Sequence, residues 1–408
     1  VKLINNKFID KLLCLSFIFI VIFSNAISSY FDASSMRFGL FVSLVFFVFI
    51  AMVVGLSFKI NYNIISANAL ALLIVSIFFI ASILISPDKN LYRYLGSIFG
   101  LLFLSMASLL LSRAVIKIQL ELFNRVLLFC LFLLITVGFT SLFIWETGYI
   151  YSKSMILFDE PSHYAVAILP LIFNAMLSYI SVYNKIFIIT LCFMLAILVH
   201  SLTMLVGLSI ALIILFTKIP RGMILLLLPL IVCIFYFNAN ILYYSERLDF
   251  SEDNLNLSVL VFLSGWEVAY SSLIESNGFG LGFQQLGVNS EVGKYQFIIM
   301  SLLDGEKLNY FDGGSLAPKL IAELGVLGLL IVITYVLNFA RLFKKIILNK
   351  NNEYLCFYFP SVFLAFSIEL FVRGFGYFSV GSFMFLSSLY WFYLNKSRSK
   401  ICKVDLSA

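Results

Sequence analysis

Between short polar connectors, this sequence is a succession of apolar runs about as long as a bilayer is thick. A membrane-spanning helix needs roughly 20 consecutive apolar residues, and no soluble core needs so many runs of that length in series. Runs meeting the criterion fall at Leu12–Ser28, Gly39–Ser57, Ile65–Ile85, Leu95–Leu111, Val126–Ile144 and Pro161–Val182. Later ones are Met223–Phe237, Leu320–Ala340, Tyr354–Val372 and Phe375–Tyr393. The composition agrees: 62% of the residues are hydrophobic and 12% are charged. The expected fold class is therefore an all-α integral membrane protein, one polytopic domain over residues 1–408.

The interval between Lys185 and Lys218 is too long for one span. As a single helix it would measure roughly 48 Å, against a hydrocarbon core of ~30 Å. His200-Ser201-Leu202-Thr203 lies near its middle, so two short spans meeting at His200 and Ser201 are expected, about twelve in all. Basic residues test the split, because they concentrate in cytoplasmic connectors. With twelve spans, about 18 of the 27 basic residues fall on the cytoplasmic side, and with one long span the bias vanishes. Both termini are then expected to be cytoplasmic. The first run follows Lys2, Lys7 and Lys11, and without a small-residue cleavage pattern it reads as a retained span.

The formal net charge of +6 reflects this cytoplasmic bias rather than an acidic partner, and argues against nucleic-acid binding. Five of the six cysteines lie in apolar runs and none has metal-ligand spacing, so no metal site or cofactor is expected.

One long polar excursion, Asn238–Pro318, interrupts the apolar pattern and is expected to face outward as a periplasmic loop. Leu257 to Ile274 within it reads as an amphipathic helix lying at the membrane surface, with Trp266 at the interface. Gly278, Gly280 and Gly282 then end it and redirect the chain; without a preceding strand they are no dinucleotide fingerprint.

Five constellations carry polar chemistry. Phe158-Asp159-Glu160-Pro161-Ser162-His163 opens a central span. Pro161 suits a first helical position, and Glu160 and His163 fall about one turn apart near the positive end of a helix dipole. An ordinary cap with an interfacial histidine would look the same. Ser201 and Thr203, before Gly207, suit a tight turn and offer hydroxyls to a polar ligand. Arg247 and Arg373 run against the charge bias, so each wants a partner. Local carboxylates (Glu246, Asp249 or Glu252 for Arg247, Glu369 for Arg373) compete there with a phosphate ligand. The glycine series at 278–287 is the fourth. The fifth is Asp312-Gly-Gly-Ser315 leading to Lys319 and Glu323, where Asp312 is a candidate base and helix capping is the rival.

Taken together, Glu-Pro-Ser-His-Tyr-Ala opening a span, Ser-x-Thr before a glycine, and a lone arginine opening the long loop resemble the Wzy-type O-antigen polymerases. So do a Trp followed by GFGLGF and the Gly325-x-x-Gly328 pair closing the loop. The resemblance covers about Phe158 to Leu330; where O-antigen ligases of the superfamily carry His-Asn, this chain has Asp312-Gly-Gly-Ser315. It implies a bacterial inner-membrane glycosyltransferase joining undecaprenyl-diphosphate-linked repeat units on the periplasmic face. A polysaccharide chain-length regulator would be a further protein partner. Arg247 and Arg373 are then expected to hold the diphosphate, with Lys319 behind them and Ser201 and Thr203 as further ligand contacts. Glu160, His163 or Asp312 is expected to take the acceptor's proton. A ligase using the same donor with lipid A-core, and a flippase or transporter, are the alternatives. The latter is disfavoured because polar residues cluster outside the spans.

Overall fold

The computed structural model describes residues 6–31, 37–56, 62–85, 88–146, 155–178, 180–217, 241–251, 253–288, 292–348 and 357–405. They form helices and turns, with one isolated bridge between Met155 and Phe158. The helices are α1 (Asn6–Ile18), α2 (Ser24–Tyr30), α3 (Arg37–Val53), α4 (Tyr62–Ile85), α5 (Leu91–Lys117) and α6 (Leu120–Glu146). A π-helical turn, Phe19–Phe23, joins α1 to α2. Next come α7 (Pro161–Leu177), α8 (Val182–Leu198), α9 (Leu202–Phe216), α10 (Ile241–Leu248), α11 (Leu257–Glu275) and α12 (Lys294–Leu302). The last are α13 (Leu316–Leu348), α14 (Tyr358–Phe371) and α15 (Val380–Asp405).

The protein is all-α and multi-pass, but the expected twelve or so spans are not what forms. Among the described residues six helices are long and apolar enough to cross a membrane: Phe8–Ser28, Asn68–Ile85, Leu91–Lys117, Leu120–Trp145, Leu257–Glu275 and Leu316–Leu348. Six further apolar helices have only 10–17 residues. An apolar run sets an upper bound on helix length, and local chemistry shortens it. Pro161 begins α7 and Ser178 ends it, while Ser201 caps α9 by accepting from Met204 N at 3.3 Å. A helix of 15–17 residues reaches only about 23–26 Å, short of a ~30 Å core. The helix expected to start at Leu257 forms and runs to Glu275. Its 19 residues make it one of the six membrane-length helices. The expected span Met223–Phe237 lies outside the described residues.

α7 is the centre of the bundle. Twelve of its 17 residues are buried, and it packs on α14 and α9 and also touches α6, α8 and α15. Where apolar packing gives no preference for register, hydroxyls supply one. Tyr164 donates to the Leu134 carbonyl of α6 at 2.9 Å, and Ser108 and Ser112 of α5 donate to Phe383 and Ser387 carbonyls of α15 at 3.0 and 2.6 Å. Contacts between elements define two ends. Phe17, Phe123 and Tyr358 meet edge-on at one, where Gln119 N also donates to Asp10. That end carries Lys117, Arg125, Lys185, Lys344 and Lys345. The other end gathers the starts of α7, α9, α11 and α13 with the close of α14, and holds the candidate site.

At that end α13 is broken. Gly325 adopts φ 57° and ψ −131°, outside the helical region, and divides it into a short first segment and a long second one. The glycine turn 278–287 docks into the break: Leu281 N and Gly282 N donate to the carbonyls of Ala322 and Glu323, and Val326 N donates to that of Gly278, all at 2.8 Å. The fully buried Glu323 accepts from Gln284 N at 2.8 Å and Leu286 N at 3.1 Å. Gly280, at φ +78°, is required here, because a Cβ would come within 2.6 Å of Gly325 N.

Candidate functional site

A cavity of about 470 Å³ opens at this end, within the range of small-molecule sites. Its walls come from the start of α7 (Glu160, Pro161, Ser162), the α8–α9 turn (His200 to Thr203), α10 (Tyr243, Arg247), the start of α11, the 308–314 segment and the close of α14 (Phe371 to Arg373). Five of the eight residues expected to form a site therefore share one cavity: Glu160, Ser201, Thr203, Arg247 and Arg373.

Arg373 and Glu160 face each other across 3.0 Å, Nη2 to Oε2, although 213 residues apart in sequence. The guanidinium is largely buried, its side chain 17% exposed, while that of Glu160 is 51% exposed. The local partner, Glu369, is turned inward and buried instead. Ser162 Oγ donates to the same Glu160 oxygen at 2.8 Å. Burial pushes the Glu160 carboxyl up, but Arg373, His163 and the hydrogen bonds from Ser162 and Arg373 outweigh it and leave it below its ordinary value.

Arg247 is held differently. Its guanidinium carbon lies 4.3 Å from the centroid of the Tyr243 ring, one turn earlier on α10. Tyr243 in turn donates its hydroxyl to the His200 carbonyl at 2.9 Å and meets the His200 ring edge-on, tying α10 to the α8–α9 turn. Arg247 makes no ion pair with Glu246 or Asp249 among the described residues. Its Nε is buried without a hydrogen-bond acceptor, as is the Nε of Arg373. A cation on an aromatic face gains attraction while keeping its in-plane donors free for an anion. Tyr243 was not expected from sequence; its i, i+4 spacing to Arg247 is the signal that marks it.

Helix termini add to the positive potential. α7, α9 and α11 all begin at the cavity wall, with Pro161, Leu202 and Leu257 in the lining. Helix starts carry partial positive charge and favour anions. The lining also includes the apolar side chains of Phe250, Phe262 and Leu308.

The other three expected residues lie elsewhere. His163 sits behind Glu160, its Nε2 3.9 Å from Glu160 Oε2 and its Nδ1 3.9 Å from Asp159 Oδ2, both too long for hydrogen bonds. It packs edge-on to Phe375 and lines a separate small void of about 40 Å³. Lys319 is fully buried and donates to the Phe311 carbonyl at 2.7 Å and to Asp312 Oδ1 at 3.0 Å. Neither Lys319 nor Asp312 lines the large cavity. Among the described residues, no three His, Cys, Asp or Glu side chains are grouped so as to hold a metal ion. No protein-family model, curated protein or solved structure matches the chain.

Proposed function

We propose that the protein is a membrane glycosyltransferase that polymerises lipid-linked oligosaccharides, with the diphosphate of an undecaprenyl-diphosphate donor bound between Arg247 and Arg373. The observation that carries the reading is one cavity lined by two guanidiniums, each with a buried Nε lacking an acceptor, at a convergence of helix starts. In the reaction a hydroxyl oxygen of the acceptor repeat unit attacks the anomeric carbon of the donor. The bond from that carbon to the diphosphate oxygen breaks, and its electron pair leaves with undecaprenyl diphosphate. Charge develops on the leaving oxygens, where preorganised arginines stabilise it most. Of the three candidate bases Glu160 alone lines the cavity, so it takes the hydroxyl proton. The proposed site faces the periplasm of a bacterial inner membrane, with both termini cytoplasmic. The lysines and arginines gathered at the opposite end of the bundle support that orientation.

The test is polymer formation from lipid-linked repeat units in proteoliposomes, comparing wild type with Arg247→Lys and Arg247→Ala at equal abundance. Lysine is a point charge that neither lies flat on Tyr243 nor makes a bidentate contact, so both variants are expected to lose on the order of 10²-fold in rate. An Arg247→Lys enzyme within about twofold of wild type, against that 10²-fold loss, would remove Arg247 from the reaction.

A further inference from the structure

Glu160 has two incompatible tasks if the diphosphate reading holds. It is bound to Arg373 at 3.0 Å, yet a base must be free to accept a proton, and Arg373 must be free to meet the leaving group. The charged and titratable groups around it come from several elements. Arg373 follows α14, His163 lies on α7 with Asp159 beside it, and Arg247 and His200 share the cavity from α10 and the α8–α9 turn. Among these Arg373 is the group in direct contact with both Glu160 and the cavity, and its side chain is the more buried of the pair.

We propose that Glu160 is the cavity's resident counter-ion, which the donor's diphosphate displaces from Arg373, so that the carboxylate becomes available as a base only once the donor is bound. The inference rests on the diphosphate reading above and deepens it. A phosphate oxygen offers Arg373 the same charge and geometry as a carboxylate oxygen, in bidentate form. Exchange therefore conserves the guanidinium's hydrogen bonding while Glu160 loses its cation. A carboxylate held by a guanidinium has a depressed proton affinity, and loss of that partner restores it. The partly exposed Glu160 side chain can swing without opening the core.

Competition for Arg373 gives the test, with inorganic pyrophosphate as the probe, bound to the purified full chain and followed by titration calorimetry. Glu160→Gln removes the competitor's charge. It is expected to bind pyrophosphate roughly fivefold more tightly than wild type at neutral pH, the upper range for a partly exposed ion pair. The wild-type-to-variant ratio cancels the titration of pyrophosphate itself. It should approach one as the pH falls through the acid range, where Glu160 protonates and releases Arg373 unaided. Glu160→Ala should match Glu160→Gln, and in an Arg373→Ala background neither should gain affinity. Equal or weaker binding by both Glu160 variants, with Arg373→Ala still weakening it, would overturn the exchange and leave the diphosphate site standing. Pyrophosphate binding that is absent, or indifferent to Arg373, would overturn both.

Discussion

Replacing Glu323 by Gln should loosen the glycine turn without disturbing the long half of α13. The side chain is fully buried, and its two oxygens serve different donors, Oε2 the Gln284 N–H at 2.8 Å and Oε1 the Leu286 N–H at 3.1 Å. An amide is nearly the same size but offers one oxygen, so one of those two N–H groups must face an NH₂. A buried donor left without an acceptor costs about 1–3 kcal/mol. Glu323→Ala abandons both and opens a void, for about 3–5 kcal/mol. Hydrogen exchange at the Gln284 and Leu286 amides reads this locally. A loss of 1–3 kcal/mol in the opening equilibrium corresponds to roughly 5- to 150-fold faster exchange in Glu323→Gln. Amides in the second half of α13, such as Val332 and Tyr335, should be unchanged. Protection of Gln284 and Leu286 within about twofold of wild type, below even the smallest expected cost, would show that Glu323 does not hold the turn.

Gly280→Ala should cost about 1–3 kcal/mol in thermal stability, since a Cβ meets Gly325 N and the residue stands at φ +78°; a melting temperature equal to wild type would contradict the docking. The Glu160–Arg373 pair has a pH signature of definite sign. The folded carboxyl lies below its ordinary value, so its contribution is present above the unfolded pKa and fades as pH falls through the folded one. Thermal unfolding of wild type and Glu160→Gln should therefore converge on acidification, and a difference constant with pH would exclude the pair as the cause. For orientation, a cysteine at the exposed Ser251 should react with an impermeant maleimide added from the periplasmic side. Reaction only after the inner membrane is breached would invert the proposed topology.

What could be read without coordinates follows the range over which the physics acts. The start of α7 at Pro161, the turn at His200–Ser201 and the end of α11 before Gly278 depend on one to four residues, and all appear where expected. Helix lengths were less legible, because hydropathy fixes where a segment prefers to be and not where its hydrogen bonds stop. Thus α7 stops at Leu177, short of the Val182 expected, and Leu257–Glu275 is long and apolar enough to count among the membrane-length helices. The break at Gly325 was hidden for a similar reason: its φ serves the backbone of residues 278–282, more than 40 positions away. The partner of Arg373 was unreadable altogether. Glu369, one turn before it, satisfies every local rule, and only the packing of α14 on α7 brings Glu160 closer.

The same packing separates two kinds of buried cation, and that separation is the physical basis for preferring one cluster as the site. Lys319 is wholly enclosed, with a carbonyl and a carboxylate accepting from its ammonium and the Tyr377 ring 5.5 Å away. Its bonding is met by the fold, and freeing it for a ligand would break both of those contacts. Arg247 and Arg373 are not satisfied in that way. One spends its face on Tyr243 and the other a single nitrogen on Glu160, leaving an Nε on each without an acceptor beside a cavity of about 470 Å³. A ligand in that cavity can therefore engage the remaining guanidinium N–H groups, in the planar fork that suits a phosphate. That difference makes the arginine pair rather than the Lys319 cluster the place where an anionic ligand gains most.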